Sequence, residues 1–329
     1  KFYFSNSIWG RCYKSLVFLN RNSRFILNLN CSAIYKKMEK VRSLFQGRQT
    51  IMCHGKLIDI SKPLVMGIIN VTPDSFYGSS QFRLRHRIAR RAEQIINEGG
   101  IIIDIGACST RPGSSPVSEE QELKRLIKAL SVIRKNYPEA IISIDTYRAN
   151  VVKVIHSNFG IDLVNDISAG ELDPAMFETI ANLKLAYVLM HMKGTPKDMQ
   201  DNPQYNNDII KELIAFFTKK VEVLKLHGVK DIILDPGFGF GKTLDHNYTL
   251  LKNLEAFKIF ELPILAGISR KSMIYKFLDT NPDKALNGTS VLNAFAIQNG
   301  ASILRVHDVK EATEVIKLVE IMRHQPNIQ

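Results

Sequence analysis

Asn70, Asp104, Asp145, Asn165, His191, Asp235, Ser269-Arg270-Lys271, and Arg305 with His307 each stand at the end of a short apolar run. All can hydrogen-bond, carry charge or hold a proton. Asp145, Asn165 and Asp235 offer carboxylates and one amide. Such acceptors suit the N–H and amino donors of a flat heterocycle, such as a pterin or a guanine edge. Arg111, Lys271, Arg305 and His307 offer donors and positive charge, which suit a phosphate, a diphosphate or a leaving group that gains charge. Two segments, Asn70-Val71-Thr72-Pro73-Asp74-Ser75-Phe76 and Ser109-Thr110-Arg111-Pro112-Gly113, have the make-up of loops that fold over a ligand and exclude water. One polar residue after a strand is more often a helix cap. Eight in phase point to a polar pocket.

Other signals fade on inspection. Gly237-Phe238-Gly239-Phe240-Gly241-Lys242-Thr243 approaches a phosphate-binding P-loop, but Pro236 stands where that motif needs its first Gly. The sequons at Asn70, Asn247 and Asn287 mean little without a secretion signal. His191, His227, His246 and His307 are too scattered for a metal-ligand motif. Cys108 reads as a plain small residue and Met190 as wall or core packing.

The elements that must position these residues follow from periodicity. Apolar runs at Leu64–Ile69, Ile101–Ile105, Ile141–Ile144, Leu163–Val164, Leu185–Met190, Asp231–Leu234, Pro263–Ala266 and Ser302–Val306 read as buried parallel strands. Helical patterns lie between them: Arg83–Glu98, Ser118–Lys135, Tyr147–Ser157, Asp173–Asn182, Asp208–His227, Leu244–Phe257, Lys284–Asn299 and Asp308–Met322. Ser118-Glu119-Glu120-Gln121 reads as a capping box. Eight βα repeats predict an α/β fold, a (β/α)8 TIM barrel, with an open doubly wound sheet as the alternative. Met52–Ser61 is expected to form a short hairpin closing the barrel bottom.

The chain has 329 residues, 45% hydrophobic and 23% charged, which excludes disorder and fibrous structure as overall descriptions. No apolar stretch reaches the length of a transmembrane helix. Four Cys without a CxxC pair argue against a disulfide scaffold or a structural zinc site. The formal net charge of +12 suggests an anionic partner, but residues 1–50 hold ten Lys/Arg against the single acid Glu39. The remainder is nearly neutral. The expected organisation is a basic extension over 1–50, disordered or not native, and one catalytic barrel over 51–329. Three readings of the extension stand open: translation upstream of a start at Met38 or Met52, a targeting segment, or a nucleic-acid-binding arm.

Taken in order, the strand-end motifs resemble the dihydropteroate synthase family. They are Met66-Gly67-Ile68-Ile69-Asn70-Val71-Thr72-Pro73-Asp74-Ser75-Phe76, Asp104-Ile105-Gly106, Ser109-Thr110-Arg111-Pro112-Gly113, Ile144-Asp145-Thr146, Asn165-Asp166-Ile167, Met190-His191-Met192, Asp235-Pro236-Gly237-Phe238-Gly239-Phe240-Gly241-Lys242, Ser269-Arg270-Lys271-Ser272 and Arg305-Val306-His307-Asp308. The resemblance runs from about His54 to Ile321. It implies that 6-hydroxymethyl-7,8-dihydropterin diphosphate and 4-aminobenzoate are joined to give 7,8-dihydropteroate and diphosphate, with Mg2+ as cofactor, by an SN1-like displacement. It implies that Asp145, Asn165, Asp235 and Lys271 hold the pterin, with Asp104 and Met190 among the substrate-binding residues. Arg305 and His307 would meet the diphosphate, Asn70 the metal–diphosphate, and Phe240, Lys271 and Ser272 the aminobenzoate. Thr110, Arg111 and Pro112 would arrive with the second loop. The catalytic set expected is Lys271, Arg305, His307, Arg111 and Asp235. The resemblance also implies a cytoplasmic homodimer through the last helices, with no nucleic-acid or membrane partner.

One departure stands out. The family commonly follows Asp-Ser-Phe with Ser-Asp-Gly-Gly, whereas Tyr77-Gly78-Ser79-Ser80 stands here. Gly78 stands where the second acid of the first loop is expected, which puts an ion pair from that position to Arg111 in doubt: Asp74 could substitute, or the loop could close differently. The alternatives weighed are a pterin-binding methyltransferase of the methyltetrahydrofolate type and a barrel that binds without catalysing.

Overall fold

The structure, a computed structural model, describes residues 15–20, 23–28, 50–53, 55–72, 81–108, 117–195, 198–205 and 208–324. Within the basic extension, β1 (Ser15–Asn20) and β2 (Ser23–Asn28) pair antiparallel, with Leu16 opposite Leu27 and Phe18 opposite Phe25. The sequence shows no strand periodicity there, because both runs are almost continuously apolar. Their β-branched and aromatic content still favours strands.

Gln49–Arg323 forms a compact unit of its own. It opens with the expected hairpin, β3 (Thr50–Cys53) against β4 (Lys56–Asp59). Eight parallel strands follow: β5 (Leu64–Asn70), β6 (Ile102–Gly106), β7 (Ile141–Asp145), β8 (Leu163–Asp166), β9 (Ala186–Met190), β10 (Ile232–Asp235), β11 (Leu265–Ala266) and β12 (Ile303–Val306). Neighbours in sequence are neighbours in the sheet, and β12 pairs with β5. The barrel closes between β10 and β11 through one bridge, Leu234 to Ile264, and a bond from Leu234 N–H to the Pro263 carbonyl at 2.8 Å. Pro263 has no N–H to give, which helps keep that ladder short. The fold is the predicted TIM barrel.

Helices alternate with the strands: α1 (Gln81–Asn97), α2 (Glu119–Asn136), α3 (Ala149–Phe159), α4 (Met176–Leu183), α5 (Ile209–Leu226), α6 (Leu244–Lys252), α7 (Ser272–Tyr275), α8 (Leu286–Gln298) and α9 (Val309–His324). Ser118 caps α2 by accepting from Gln121 N–H at 3.3 Å. The helix expected over Leu244–Phe257 stops at Lys252 and continues as a 3-10 turn, Leu254–Phe260. Asn253 ends the α-ladder: its N–H bonds the Thr249 carbonyl at 3.1 Å and its Nδ2 shares that acceptor at 2.8 Å. Leu254 and Phe257, three apart, are both fully buried, which matches three residues per turn.

Strand residues alternate between two cores. Val65, Ile69, Ile103, Ile105, Ile142, Ile144, Val164, Leu189 and Leu304 pack outward against the helices. Leu64, Met66, Ile102, Leu163, Ala186, Val188, Ile233, Leu265 and Ile303 fill the interior with Ile51, Cys53 and Ile60, so the hairpin plugs the bottom. Each buried Leu, Ile, Val or Met among them contributes about 1.5–3 kcal/mol by leaving water. Gly67 points outward, and a Cβ there would stand 2.7 Å from the Ile95 side chain, so its absence lets α1 seat closely. Two residues further along each strand, the same inward phase reaches the opposite end of the barrel.

Candidate active site

That phase sets Asp104 above Ile102, Ser143 above Ile141, Asn165 above Leu163, Met190 above Val188, Asp235 above Ile233 and Arg305 above Ile303. Asp145 lies one step higher than Ser143. The register pairs Gly106 with Asp145, Asp145 with Asn165, and Asp235 with Met190. An apolar interior thus gives way to a polar mouth, built from six strands.

Arg305 organises one side of it. Its Nε donates to Asp104 Oδ2 at 2.7 Å and its Nη2 to Asp145 Oδ2 at 2.7 Å. Asp104 is fully buried and also accepts from Ser143 Oγ at 2.6 Å and Asn165 Nδ2 at 3.3 Å. The Asn165 amide is therefore turned with its donor to Asp104, while its Oδ1 is buried without a partner among the described residues. Burial, against the pull of Arg305 and with repulsion from Asp104, raises the Asp145 pKa to about 7. The two carboxylates, acting back, push the Arg305 pKa up despite its burial.

The other side carries Asp235 and Lys271. Asp235 Oδ1 accepts from Gly237 N–H at 2.7 Å, and burial raises this acid above its usual range although Lys271 opposes the shift. Lys271 Nζ donates to the Phe238 carbonyl and lies 4.6 Å from the Phe240 ring centroid. Burial lowers its pKa to about 8, with Asp235 resisting. Ser272 opens α7 directly after it and is half-buried.

A cavity of about 410 Å³ opens beside this mouth, lined by Ile68, Asn70, Arg87, Arg91, Arg270 and His307 among others. His307 Nδ1 lies 3.1 Å from Ser269 Oγ, and Arg91 donates to the His307 carbonyl. Burial first, and Arg305 next, lower the His307 pKa to about 4, so the ring is neutral at pH 7 in the free protein. It offers a hydrogen bond there, where the sequence suggested positive charge. Arg270 holds a left-handed φ of 56° and grips Asp308 with two bonds of 2.9 and 2.7 Å.

No group of three His, Cys, Asp or Glu suited to a metal occurs among the described residues. Asn70 offers one amide oxygen at the rim. A Cβ on Gly106 would stand 3.4 Å from that oxygen and 3.6 Å from Asp145 Oδ2, so the missing side chain leaves room between them. This set fits Mg2+, which keeps waters and takes few protein ligands when a polyphosphate supplies the rest.

Asn70, Asp104, Asp145, Asn165, Met190, Asp235, Phe240, Lys271, Ser272, Arg305 and His307 therefore lie on the strands and loops of one barrel end. Thr110, Arg111, Pro112 and the segment with Gly78 lie outside the described residues. Sequence reading missed Ser143, which bonds Asp104, and Arg91, which fixes His307. Ser143 carried a signal, since it shares the inward phase of Asp145. Arg91 carried none, being one of several arginines on the α1 pattern.

Residues 66–307 match the family described as "Pterin binding enzyme". The dihydropteroate synthase of Haemophilus influenzae is 41% identical over 82% of this chain and 97% of its own length. That of Escherichia coli K12 is 41% identical over 82% and 95%. Among solved structures, a Yersinia pestis dihydropteroate synthase with a sulfonamide drug complex aligns with a TM-score of 0.78 at 38% identity, over 84% of this chain and all of the other. A Xanthomonas albilineans dihydropteroate synthase with 4-aminobenzoic acid gives 0.78 at 30% identity, over 85% of this chain and all of the other. The chain belongs to the pterin-binding enzyme family, in its dihydropteroate synthase branch, whose members are transferases of folate biosynthesis.

Proposed function

We propose how the residues of this chain divide the labour of dihydropteroate synthesis. The observation that carries the assignment is the Asn165 amide, whose Oδ1 is buried without a partner among the described residues, next to Asp145 in the strand register. A buried acceptor left unmade costs about 1–3 kcal/mol, and a ligand edge bearing N–H and amino donors removes that cost. Asp145, Asn165 and Asp235 therefore hold the pterin edge, Asp104 orients Arg305 and Asn165, and Met190 supplies apolar wall. Lys271 donates to the pterin from the opposite side.

The diphosphate group lies toward Arg305, His307 and Asn70. Asn70 would hold a Mg2+ ion arriving with the diphosphate, and that ion would supply neutralising charge to the leaving group. Arg305 donates to it, and His307, neutral in the free protein, adds a hydrogen bond. Cleavage leaves a carbocation-like methylene conjugated with the pterin. 4-Aminobenzoate then attacks through its amine from the side lined by Phe240, Lys271 and Ser272, the C–N bond forms, and the proton released from the amine passes to solvent or the departing diphosphate. No side chain acts as a covalent nucleophile. Thr110, Arg111 and Pro112 come in with the second loop and keep water from the cation.

The exposed apolar residues Val291, Phe295, Leu318, Ile321 and Met322 lie on α8 and α9, which Arg323 ties together through the Ile297 carbonyl. They support the homodimer expected through the last helices. Among the described residues no helix is long and apolar enough to cross a membrane.

The test is a coupled assay for diphosphate release with purified chain. Release that requires 4-aminobenzoate, the dihydropterin diphosphate and Mg2+ together is the expected result. No release with all three present refutes the function. A methyltetrahydrofolate-type methyltransferase is not favoured, since the relatives above are dihydropteroate synthases.

A further inference from the structure

A buried ammonium group joins the loops that follow β9 and β10. Lys242 is 3% exposed. Its Nζ lies 3.0 Å from His191 Nδ1, 3.2 Å from the His191 carbonyl, 2.9 Å from the Gly237 carbonyl and 3.0 Å from the Phe240 carbonyl. An ammonium has three protons and no lone pair, so these four acceptors share them. His191 must then present Nδ1 unprotonated. Burial and the nearby Lys242 and Lys193 hold its pKa down to about 2, so the imidazole stays neutral.

The rest of the turn is pinned as closely. Asn247 Oδ1 accepts from Gly239 N–H at 2.7 Å, Gln200 Nε2 donates to the Gly239 carbonyl at 2.7 Å, and Tyr205 Oη donates to the Gly241 carbonyl at 2.8 Å. Gly237 and Gly241 take φ of 71° and 62°, and a Cβ would stand 1.9 Å from the His191 oxygen and 2.3 Å from the Lys193 oxygen. The two loops meet backbone to backbone.

We propose that Lys242, seated on His191, is a positioning residue for the amine substrate: it presets the turn that carries Phe240 and the Phe238 carbonyl, and so fixes the wall against which 4-aminobenzoate lies. The proposal rests on the assignment of Phe240 and Lys271 above. Burying a charge is unfavourable, and burial lowers the Lys242 pKa well below its usual value. An apolar residue would fill the space with less desolvation, but it could not gather carbonyls from two loops. The turn that is gathered also receives Lys271, through the Phe238 carbonyl.

Lys242→Met keeps the length of the side chain and removes its donors. With the purified full chain, the KM for 4-aminobenzoate is expected to rise about tenfold, while calorimetry shows the dihydropterin diphosphate Kd within about threefold of wild type. A merely structural lysine would lower the melting temperature and leave the KM of the folded protein unchanged. That result, or equal loss of both substrates, overturns the proposal. If Lys242→Met does not fold, Tyr205→Phe decides, since it removes one bond to the same turn. A selective rise of about threefold in the aminobenzoate KM supports the role, and an unchanged KM overturns it. Failure of the wild-type chain to release diphosphate would instead count against the function itself.

Discussion

Asp104→Asn should move the acid limb of the reaction, and the direction follows from the Arg305 cluster. Asp104 Oδ2 and Asp145 Oδ2 each stand 2.7 Å from Arg305 Nη2, so the two oxygens are no more than twice that distance apart. Two unit charges about 5 Å apart in an effective dielectric of about 20 repel by about 3 kcal/mol, or about 2 pH units. Spreading each charge over two oxygens trims this to about 1–2 units. The Asp145 pKa is about 7 with Asp104 present. Below that value Asp145 is protonated, so it loses its charge and part of its capacity to accept from a pterin donor. In the wild type, kcat/KM for the dihydropterin diphosphate should therefore fall as the pH drops through about 7. In Asp104→Asn the charge that opposes ionisation of Asp145 is gone, and Arg305 turns fully to Asp145. Both changes lower the Asp145 pKa, so the inflection moves acidward by about 1–2 units.

The assay is kcat/KM for the pterin substrate at saturating 4-aminobenzoate, from about pH 5 to about pH 9, which reports the free enzyme. Asp104→Asn also costs stability, about 2–3 kcal/mol, near the low end for breaking a buried pair because Arg305 keeps Asp145. The profile is therefore measured below the melting transition of the variant. An inflection that stays put or moves to higher pH refutes the electrostatic argument, whatever the variant's overall rate.

Lys271→Met should lower kcat/KM by about a hundredfold or more, and should abolish the decline expected above about pH 8, where the wild-type ammonium loses its proton. Gly237→Ala places a Cβ against the His191 carbonyl at a positive φ; a loss above about 3 kcal/mol in chemical denaturation is expected, and near-wild-type stability would contradict the close approach. Leu318→Glu, at a 64% exposed position on α9, should convert the proposed dimer to a monomer in light scattering without unfolding the barrel. Arg111→Ala should reduce turnover while calorimetric binding of the pterin substrate persists, because its role is proposed in loop closure; unchanged turnover removes that role.

Strand existence was legible because the eight runs are apolar on both faces, a pattern that only a sheet covered inside and outside requires. Helix ends were less so. Asn253 interrupts an otherwise regular stripe, and nothing in the stripe itself reveals that its amide captures the Thr249 carbonyl. The extension's hairpin was missed for the opposite reason: Leu16–Leu19 and Phe25–Leu27 show no alternation to detect.

The site was legible to the extent that it obeys the period of two. Once a strand is phased by its apolar residues, the inward position two further on is fixed, so Ile102 predicts Asp104, Leu163 predicts Asn165 and Ile303 predicts Arg305. The same rule names Ser143. What it cannot give is the partner of each group. Arg305 reads as a free cation in the sequence, yet it is committed to two acids whose positions are 201 and 160 residues away. His307 reads as a cation but is neutral, because burial first and Arg305 next act on it together. Lys242 reads as the tail of a failed phosphate loop, yet its charge is spent on carbonyls inside the wall. Residue type and phase tell which groups reach the pocket. Which of them remain available to a substrate is decided by pairing across the barrel, and among the described residues that leaves the Asn165 acceptor open.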